Sequence, residues 1–550
     1  MNKNKFIGIF TLALTLFTVS CDDFLDVIPD ARPELTDAKK VGYLLNSAYG
    51  KFIPIVATEH ASDNKDWVDK TGINYYYLAQ EEAFYWKDNR DEGGNDTSID
   101  FYGGYYLAIA AANQALIAIE EQGTPESMLP LKGEAFLTRA YHHFMLVNVY
   151  GQHYNTATSE TDLGIVYMDH AETTLNPKYT RESVAEVYRK INEDIEAGLP
   201  LIDDAIWTYP KYHFNKKASY AFAARFNLFY GNYDKAIKYA TEAIGENAEP
   251  MLRNWAHYAD IGTDNTEVTR YYTTLDQNCN LMLITGTSSA YGYYTSMRKY
   301  QHTNQIADME AQRGPGPWGP ARGALSPRTF YMVVTRLTND NSVFWKNLPQ
   351  AMKKDSPTAS SGVNHTTWLP FTAEETLLVR AEAHALKGEF DAATADLALW
   401  MKVMVRPNGS ITTNILTRAK INSYYSTVPY YTWKNPTPKK HLHPVDPELA
   451  ARLTEGSELE NFLQCVLHFR RIETINQGQR WYDVKRYGMV IYRRHLDSSN
   501  GYNSSTSMGD NAPILEVVDS LVVGDDRRAF QLPPDVIAAG LEANPGIYRK

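Results

Sequence analysis

The side chains best suited to chemistry in this 550-residue chain are aromatic. Seven of the twenty positions from Trp67 to Trp86 carry rings: Trp67, Tyr75, Tyr76, Tyr77, Phe84, Tyr85 and Trp86. Asp63, Asp66, Asp88, Asn89 and Arg90 surround them. Tyr291, Tyr293, Tyr294 and Trp318 form a second group in a stretch rich in Gly and Pro. Tyr has an apolar face and a polar edge, so the 38 Tyr of this chain suit wet binding surfaces as well as cores.

Patterns that would carry catalysis are missing. No His-Glu-x-x-His, Gly-x-Ser-x-Gly, Walker loop or Cys-x-x-Cys occurs. Gly314–Gly319 fits G-x-G-x-x-G in letters, but its prolines forbid the helix that must follow. His142 and His143 are adjacent, so on a helix they point to different faces and do not share a metal. His441 and His443 have no carboxylate or Cys at ligand spacing. Three Cys exclude a disulfide framework and a zinc site built from cysteines alone. Acidic residues outnumber basic ones, 65 to 54, which disfavours nucleic acid as a partner. No catalytic residue, metal or cofactor is expected.

The N-terminus carries a different chemistry. Lys3 and Lys5 precede an apolar run over 6–19 that would reach about 21 Å as a helix. That is short of the roughly 30 Å needed to span a bilayer, and it reads as a secretory signal over 1–20. The run ends Thr18-Val19-Ser20-Cys21, a lipoprotein-type box in which Cys21 is lipidated, and Asp22, Asp23 and Asp26 follow. A multiply acylated Cys21 would anchor the chain stably to a membrane.

The elements that must hold the aromatic groups are helices in pairs. Tyr105–Glu120, Leu131–Tyr150 and Arg181–Gly198 show helical periodicity. Gly103-Gly104 reads as a breaker before the first, and Gly151 as a left-handed stop after the second. Lys217–Tyr230 leads through Gly231-Asn232-Tyr233-Asp234 into Ala236 and Ala240. Thr372–Lys387 leads through Gly388-Glu389-Phe390-Asp391 into Ala393 and Leu397, with Thr372 and Glu375 spaced as a capping box. Both have the helix, Gly-x-aromatic-Asp turn, helix grammar of a tetratricopeptide unit, which must stack on neighbours to bury its face. The stretches 59–102, 286–370 and 405–460 show no sustained period, and loops of that length are usually functional.

Val466–Gly488 supplies a resemblance. Its Arg470-Arg471, Glu473, Gly478, Arg480-Trp481, Asp483 and Arg486 closely resemble the helix–turn–helix signature of the SusD/RagB family. Cys21–Asp26 at the start, and Pro533-Pro534 followed by Asn544-Pro545-Gly546 at the end, are similar to that family's opening and closing segments. The resemblance implies a mainly α fold, a tetratricopeptide-like superhelix of helix pairs with long loop-rich insertions. It implies a single domain over 21–550, with scaffold at about 36–285, 371–404 and 460–488 and ligand-facing loops at about 59–102, 286–370 and 405–460. It further implies a lipid-anchored protein on the outer surface of the outer membrane. Such a protein captures glycan oligomers, or peptides as in the RagB branch, for a SusC-like TonB-dependent transporter.

Under that reading the rings would meet the C–H face of a sugar, and the polar side chains its hydroxyl rim. Asp63, Trp67, Tyr75, Tyr76, Trp86, Asn89, Tyr293 and Trp318 are the expected ligand-binding residues. Arg480, Asp483 and Arg486, at i, i+3 and i+6, are expected to form structural ion pairs instead.

Overall fold

The computed structural model describes residues 35–546, apart from 69–77, 91–94, 173–176, 296–298, 320–328, 338–341, 408–414 and 498–512 and positions 89, 263, 333, 346, 355, 357 and 360. Cys21 and the expected signal lie outside the described residues. The fold is mainly α, as the periodicity predicts. Helices α1 (Ile55–Ala61) and α2 (Leu78–Phe84) flank strand β1 (Asp66–Val68). A series of helices packed in sequence follows, α3 (Ser98–Glu121), α4 (Leu129–Tyr150) and α5 (Val184–Gly198). The two predicted units then appear as α6 (Lys216–Phe229) with α7 (Tyr233–Ile244), and α8 (Ala373–Lys387) with α9 (Phe390–Met404). Although 245–372 intervene, α7 packs directly on α8, so the pairs form one stack. Helices α10 (Glu458–Glu473) and α11 (Arg480–Arg486) dock against it, and α12 (Pro534–Ala538) ends the helical series.

The turn chemistry follows the sequence closely. Gly231 and Gly388 take φ of +81° and +80°, the left-handed conformation that reverses one helix into the next. Ala224, Ala236, Ala381 and Ala393 are fully buried where the paired helices approach. Thr372 caps α8 by accepting a hydrogen bond from the Glu375 amide at 3.2 Å. Two expectations fail. Gly103 and Gly104 lie inside α3, which begins at the Thr97 cap. A Cβ on Gly104 would sit 2.8 Å from the Phe52 ring, so this glycine serves close packing rather than a break. Gly151 is extended, at φ −111°, and a Cβ there would meet the Val147 carbonyl at 2.9 Å.

The long irregular stretches also hold strands that the sequence did not announce. In the order β2 (Asn280–Thr287), β7 (Val363–Thr372), β6 (Ala351–Lys353), three form an antiparallel sheet, while β4 (Val334–Leu337) pairs with β5 (Ser342–Trp345). A four-stranded sheet runs β3 (Tyr300–Gln301), β1, β8 (Ile491–Leu496), β9 (Ile514–Leu521). In it β1 is antiparallel to β3 and parallel to β8. It joins the start of the described chain to its end.

Buried charge holds that junction. Arg480 grips Asp63 with Nε and Nη2 at 2.8 and 3.0 Å, and Lys440 reaches the same carboxylate at 3.2 Å. Arg471 donates to the Asp63 carbonyl and the Asn64 amide oxygen, both at 2.8 Å, and to Glu310 at 3.0 Å. Arg494 grips Asp66 at 2.8 and 3.0 Å and faces Glu310 at 2.9 Å, the latter a charge contact without hydrogen-bond alignment. Lys440 also lies 3.2 Å from the centre of the Tyr431 ring. Behind this cluster, Glu59 accepts the Asn476 and Gly478 amides at 3.0 Å each. A second set links Arg470 to Asp483 and Glu375, Arg225 to Glu375, and Arg486 to Asp483 and Glu382. The expected Asp483–Arg486 pair is present at 2.7 Å, whereas Arg480 turns away to Asp63. Burial alone would raise the Asp63 and Glu310 carboxyls. The surrounding cations outweigh it, holding Asp63 well below the usual range and Glu310 at about 2.

Two outcomes follow. Nothing lies within 4 Å of a Cβ on Gly231, so Gly231→Val should cost backbone strain alone, about 1–3 kcal/mol by denaturant unfolding. An unchanged midpoint would contradict the turn assignment. Asp63→Asn leaves Arg480, Lys440 and Arg471 short of a carboxylate and should cost roughly 3–5 kcal/mol at neutral pH. Depressed folded-state values mean that the unfolded chain binds more protons below the normal carboxylate range. The stability given by Asp63 and Glu310 is therefore complete above about pH 4.5 and lost as pH falls towards 2. Asp63→Asn should flatten that acid loss; equal acid slopes would count against the cluster.

Candidate functional site

Strand alternation turns the buried cluster into a support for a surface. Successive side chains on β1 point to opposite faces, so Asp66 enters the ion cluster while Trp67 takes the other face. Trp67 pairs across the sheet with Tyr300 on β3 and with His495 on β8, and His495 pairs with Glu516 on β9. Tyr300, Trp67, His495 and Glu516 thus form one row about 14 Å wide. The His495 ring lies parallel to Trp67, at 3.8 Å and 9°. The Lys299 ammonium sits over Trp67 at 4.5 Å. Tyr300 stacks on Phe84 at 4.2 Å, and Tyr85 stands edge-on to both rings. Glu81 accepts from the Tyr300 hydroxyl and from Lys87, both at 3.2 Å.

Trp67, Tyr85, Glu81, Lys87 and Lys299 keep part of their surface in water, whereas Phe84, Tyr300 and His495 are buried. Burial, reinforced by Glu81, pushes the Tyr85 hydroxyl up to about 12, so it stays a hydrogen-bond donor at physiological pH. The arrangement offers a partly exposed indole with two ammonium groups, a carboxylate and a phenol around it. That is binding chemistry, without a covalent step.

The other expected ligand residues fall elsewhere. Asp63 is 8% exposed and spent on three cations, which makes it an internal counter-ion. Trp86 is 4% exposed, donates to the Ala61 carbonyl at 2.9 Å and has the Arg493 guanidinium 4.0 Å from its ring. Arg493 gathers the carbonyls of His60, Ala61, Ser62 and Phe84, so Trp86 helps bind the ends of α1 and α2 together. Trp318 is 1% exposed against Phe330, His468 and Phe469. Tyr293 is buried too. For Asp63, Trp86, Tyr293 and Trp318 the expectation of an open ligand face is corrected, because the chain's own side chains already cover them. Tyr75, Tyr76 and Asn89 lie outside the described residues.

Sequence reading also missed a cleft of about 1290 Å³ between α3, residues 166–172 and 177–180, and α12. Leu107, 71% exposed, lines it together with Tyr102, Tyr106, Met168, Val536 and Leu541. The segment 166–170 is strapped to α3 by the Tyr106 hydroxyl on the Val166 carbonyl and the Asn113 amide on the Met168 carbonyl. A signal existed, since α3 is apolar on more than one face while a surface helix needs only one such stripe. His142 and His143 carry no ligand role. His142 accepts the Gly50 amide and His143 the Met168 amide, at 2.9 and 3.0 Å.

Comparison with known proteins bears on this geometry. Residues 23–228 match the family SusD-like_3, described as starch-binding associating with outer membrane. No curated protein matches the chain. Among solved structures, a SusD superfamily protein from Bacteroides thetaiotaomicron is similar at 16% identity and TM-score 0.58, covering 94% of this chain and 100% of its own. A SusD-like carbohydrate binding protein from Bacteroides vulgatus aligns at 13% identity and TM-score 0.58, over 93% of this chain and 98% of its own. A SusD superfamily protein from Bacteroides fragilis aligns at 15% and 0.59, over 92% and 99%. These likenesses establish the fold. With that fold, the match over 23–228 and the α10–α11 signature in its buried setting, the chain is similar to the SusD/RagB family.

Proposed function

We propose that this chain is a cell-surface glycan-binding lipoprotein, not an enzyme, that captures oligosaccharides and delivers them to a SusC-like TonB-dependent transporter. The observation that carries the reading is Trp67, a partly exposed indole backed by His495 and held from behind by the buried ion cluster. Rigid support of a flat ring with a polar rim is what sugar capture needs. The family description, with its starch binding and outer-membrane association, supports the same ligand class and place. Among the described residues no helix is long and apolar enough to cross a membrane, so the reading gives attachment to a lipid on Cys21, with 1–20 as its signal and 21–550 as one domain.

Cargo must be released to a transporter, so affinity should be micromolar to millimolar, about −8 to −4 kcal/mol. The mature chain should be titrated against oligosaccharide and peptide panels. Trp67→Ala should weaken the best glycan about tenfold or more with the circular dichroism unchanged, while Leu107→Glu leaves it intact. The cleft with its largely apolar lining favours one other reading, capture of peptides in the RagB manner. Peptide binding lost in Leu107→Glu and kept in Trp67→Ala would replace the glycan reading. Cys21→Ala should release the folded protein from membranes in cell fractionation; retention in cells lacking the transporter would contradict the anchor.

A further inference from the structure

The two faces of Trp67 are not equivalent. His495 lies against one face at 3.8 Å, and a second group 4.5 Å from the ring centre cannot share that face without overlapping the imidazole. Lys299 therefore covers the other face, the one a ligand ring would need. Its cover is light. The side chain is 37% exposed and rests on the rings of Trp67 and Tyr300, at 4.5 and 5.4 Å. It reaches Glu81 at 3.9 Å, and that carboxylate already receives Lys87 at 3.2 Å and the Tyr300 hydroxyl at 3.2 Å.

A neutral sugar stacking on Trp67 would push the Lys299 ammonium off the ring and offer it only neutral hydroxyl acceptors, without a countercharge. Glu81, its one nearby carboxylate among the described residues, is shared with Lys87. A sugar bearing an anionic group resolves the conflict. Its ring takes the indole face, and its carboxylate or sulfate takes the displaced ammonium as a charge-assisted hydrogen bond. The row also has polarity. Glu516 stands at the far end, 3.5 Å from His495, and would repel an anion, so the acidic group is directed to the Lys299 end.

We propose that this site takes an acidic glycan oligomer and that Lys299 is the residue that reads its anionic group. The inference rests on Trp67 being the binding surface. The test compares three probes of equal length on the full mature chain: oligogalacturonate for a carboxylate, a chondroitin sulfate oligosaccharide for a sulfate, and a maltooligosaccharide as the neutral control. At least one acidic probe should bind about tenfold tighter than the neutral one, with the advantage shrinking as salt rises. Which acidic probe wins identifies the anionic group. Lys299→Met should abolish the preference by weakening acidic binding while neutral binding holds or tightens, and Lys299→Arg should keep it. Equal or tighter binding of the neutral probe, binding of no acidic probe, or a preference that survives Lys299→Met would overturn the proposal. Trp67→Ala separates the two readings. If it weakens a neutral probe that wild type prefers, the site stands and the acidic assignment falls. If it changes no probe, the site itself falls.

Discussion

Carboxylates Asp63, Asp66 and Glu310 are buried with the cations Arg471, Arg480, Arg494 and Lys440, and much of the molecule is arranged around that fact. Taking charges out of water costs several kcal/mol per ion, and mutual attraction offsets this only when every member is in place. Arg480 and Asp63 are 417 positions apart in sequence. The cluster is therefore a long-range condition: α10, α11 and β8 must meet the loop after α1, or the charges are stranded. It makes a few strong contacts at a junction where the strands are short and the segments irregular. The second set, around Arg470, Asp483, Glu375 and Glu382, ties the same two helices to the stack through α8 and α6.

The consequence for function is positional. Period-two alternation on β1 sends Asp66 into the cluster and Trp67 to the sheet's other face, so the indole is fixed by its neighbour's ion pairs. Arg493 does the same for the ends of α1 and α2, collecting four carbonyls between the Phe84 and Trp86 rings. A surface built this way is rigid behind and light in front, where Lys299 rests on the rings and meets Glu81 only at 3.9 Å. That division suits a protein that must capture cargo and give it up.

Features governed by local rules were legible in the sequence. Gly231 and Gly388 had to reverse a helix, Thr372 had to cap one, and the Ala pairs marked close helix contacts. The sequence also marked Arg480, Asp483 and Arg486 as structural, though it assigned Arg480 the wrong partner. What depended on distant contacts was hidden. Asp63 looked like a sugar ligand because nothing local shows three cations converging on it. Trp86 and Trp318 looked like binding rings because a ring's covering arrives from elsewhere in the chain. Gly104 looked like a breaker because the Phe52 ring that requires it lies outside its helix. The sheet escaped notice because β1 and β3 are three and two residues long and gain their order from β8 and β9.

Buried charge should make the C-terminal helices and strand β1, which carries Trp67, one cooperative unit. Native-state hydrogen exchange tests it directly at the Asn476 and Gly478 amides, which donate to Glu59, against the amide of Val466 inside α10. The account predicts that all three exchange only through the same large opening, with equal free energies and equal denaturant dependence, and that Asp63→Asn lowers the three together. Exchange of Asn476 and Gly478 through a cheaper local opening, with Val466 still protected and unaffected by Asp63→Asn, would contradict it.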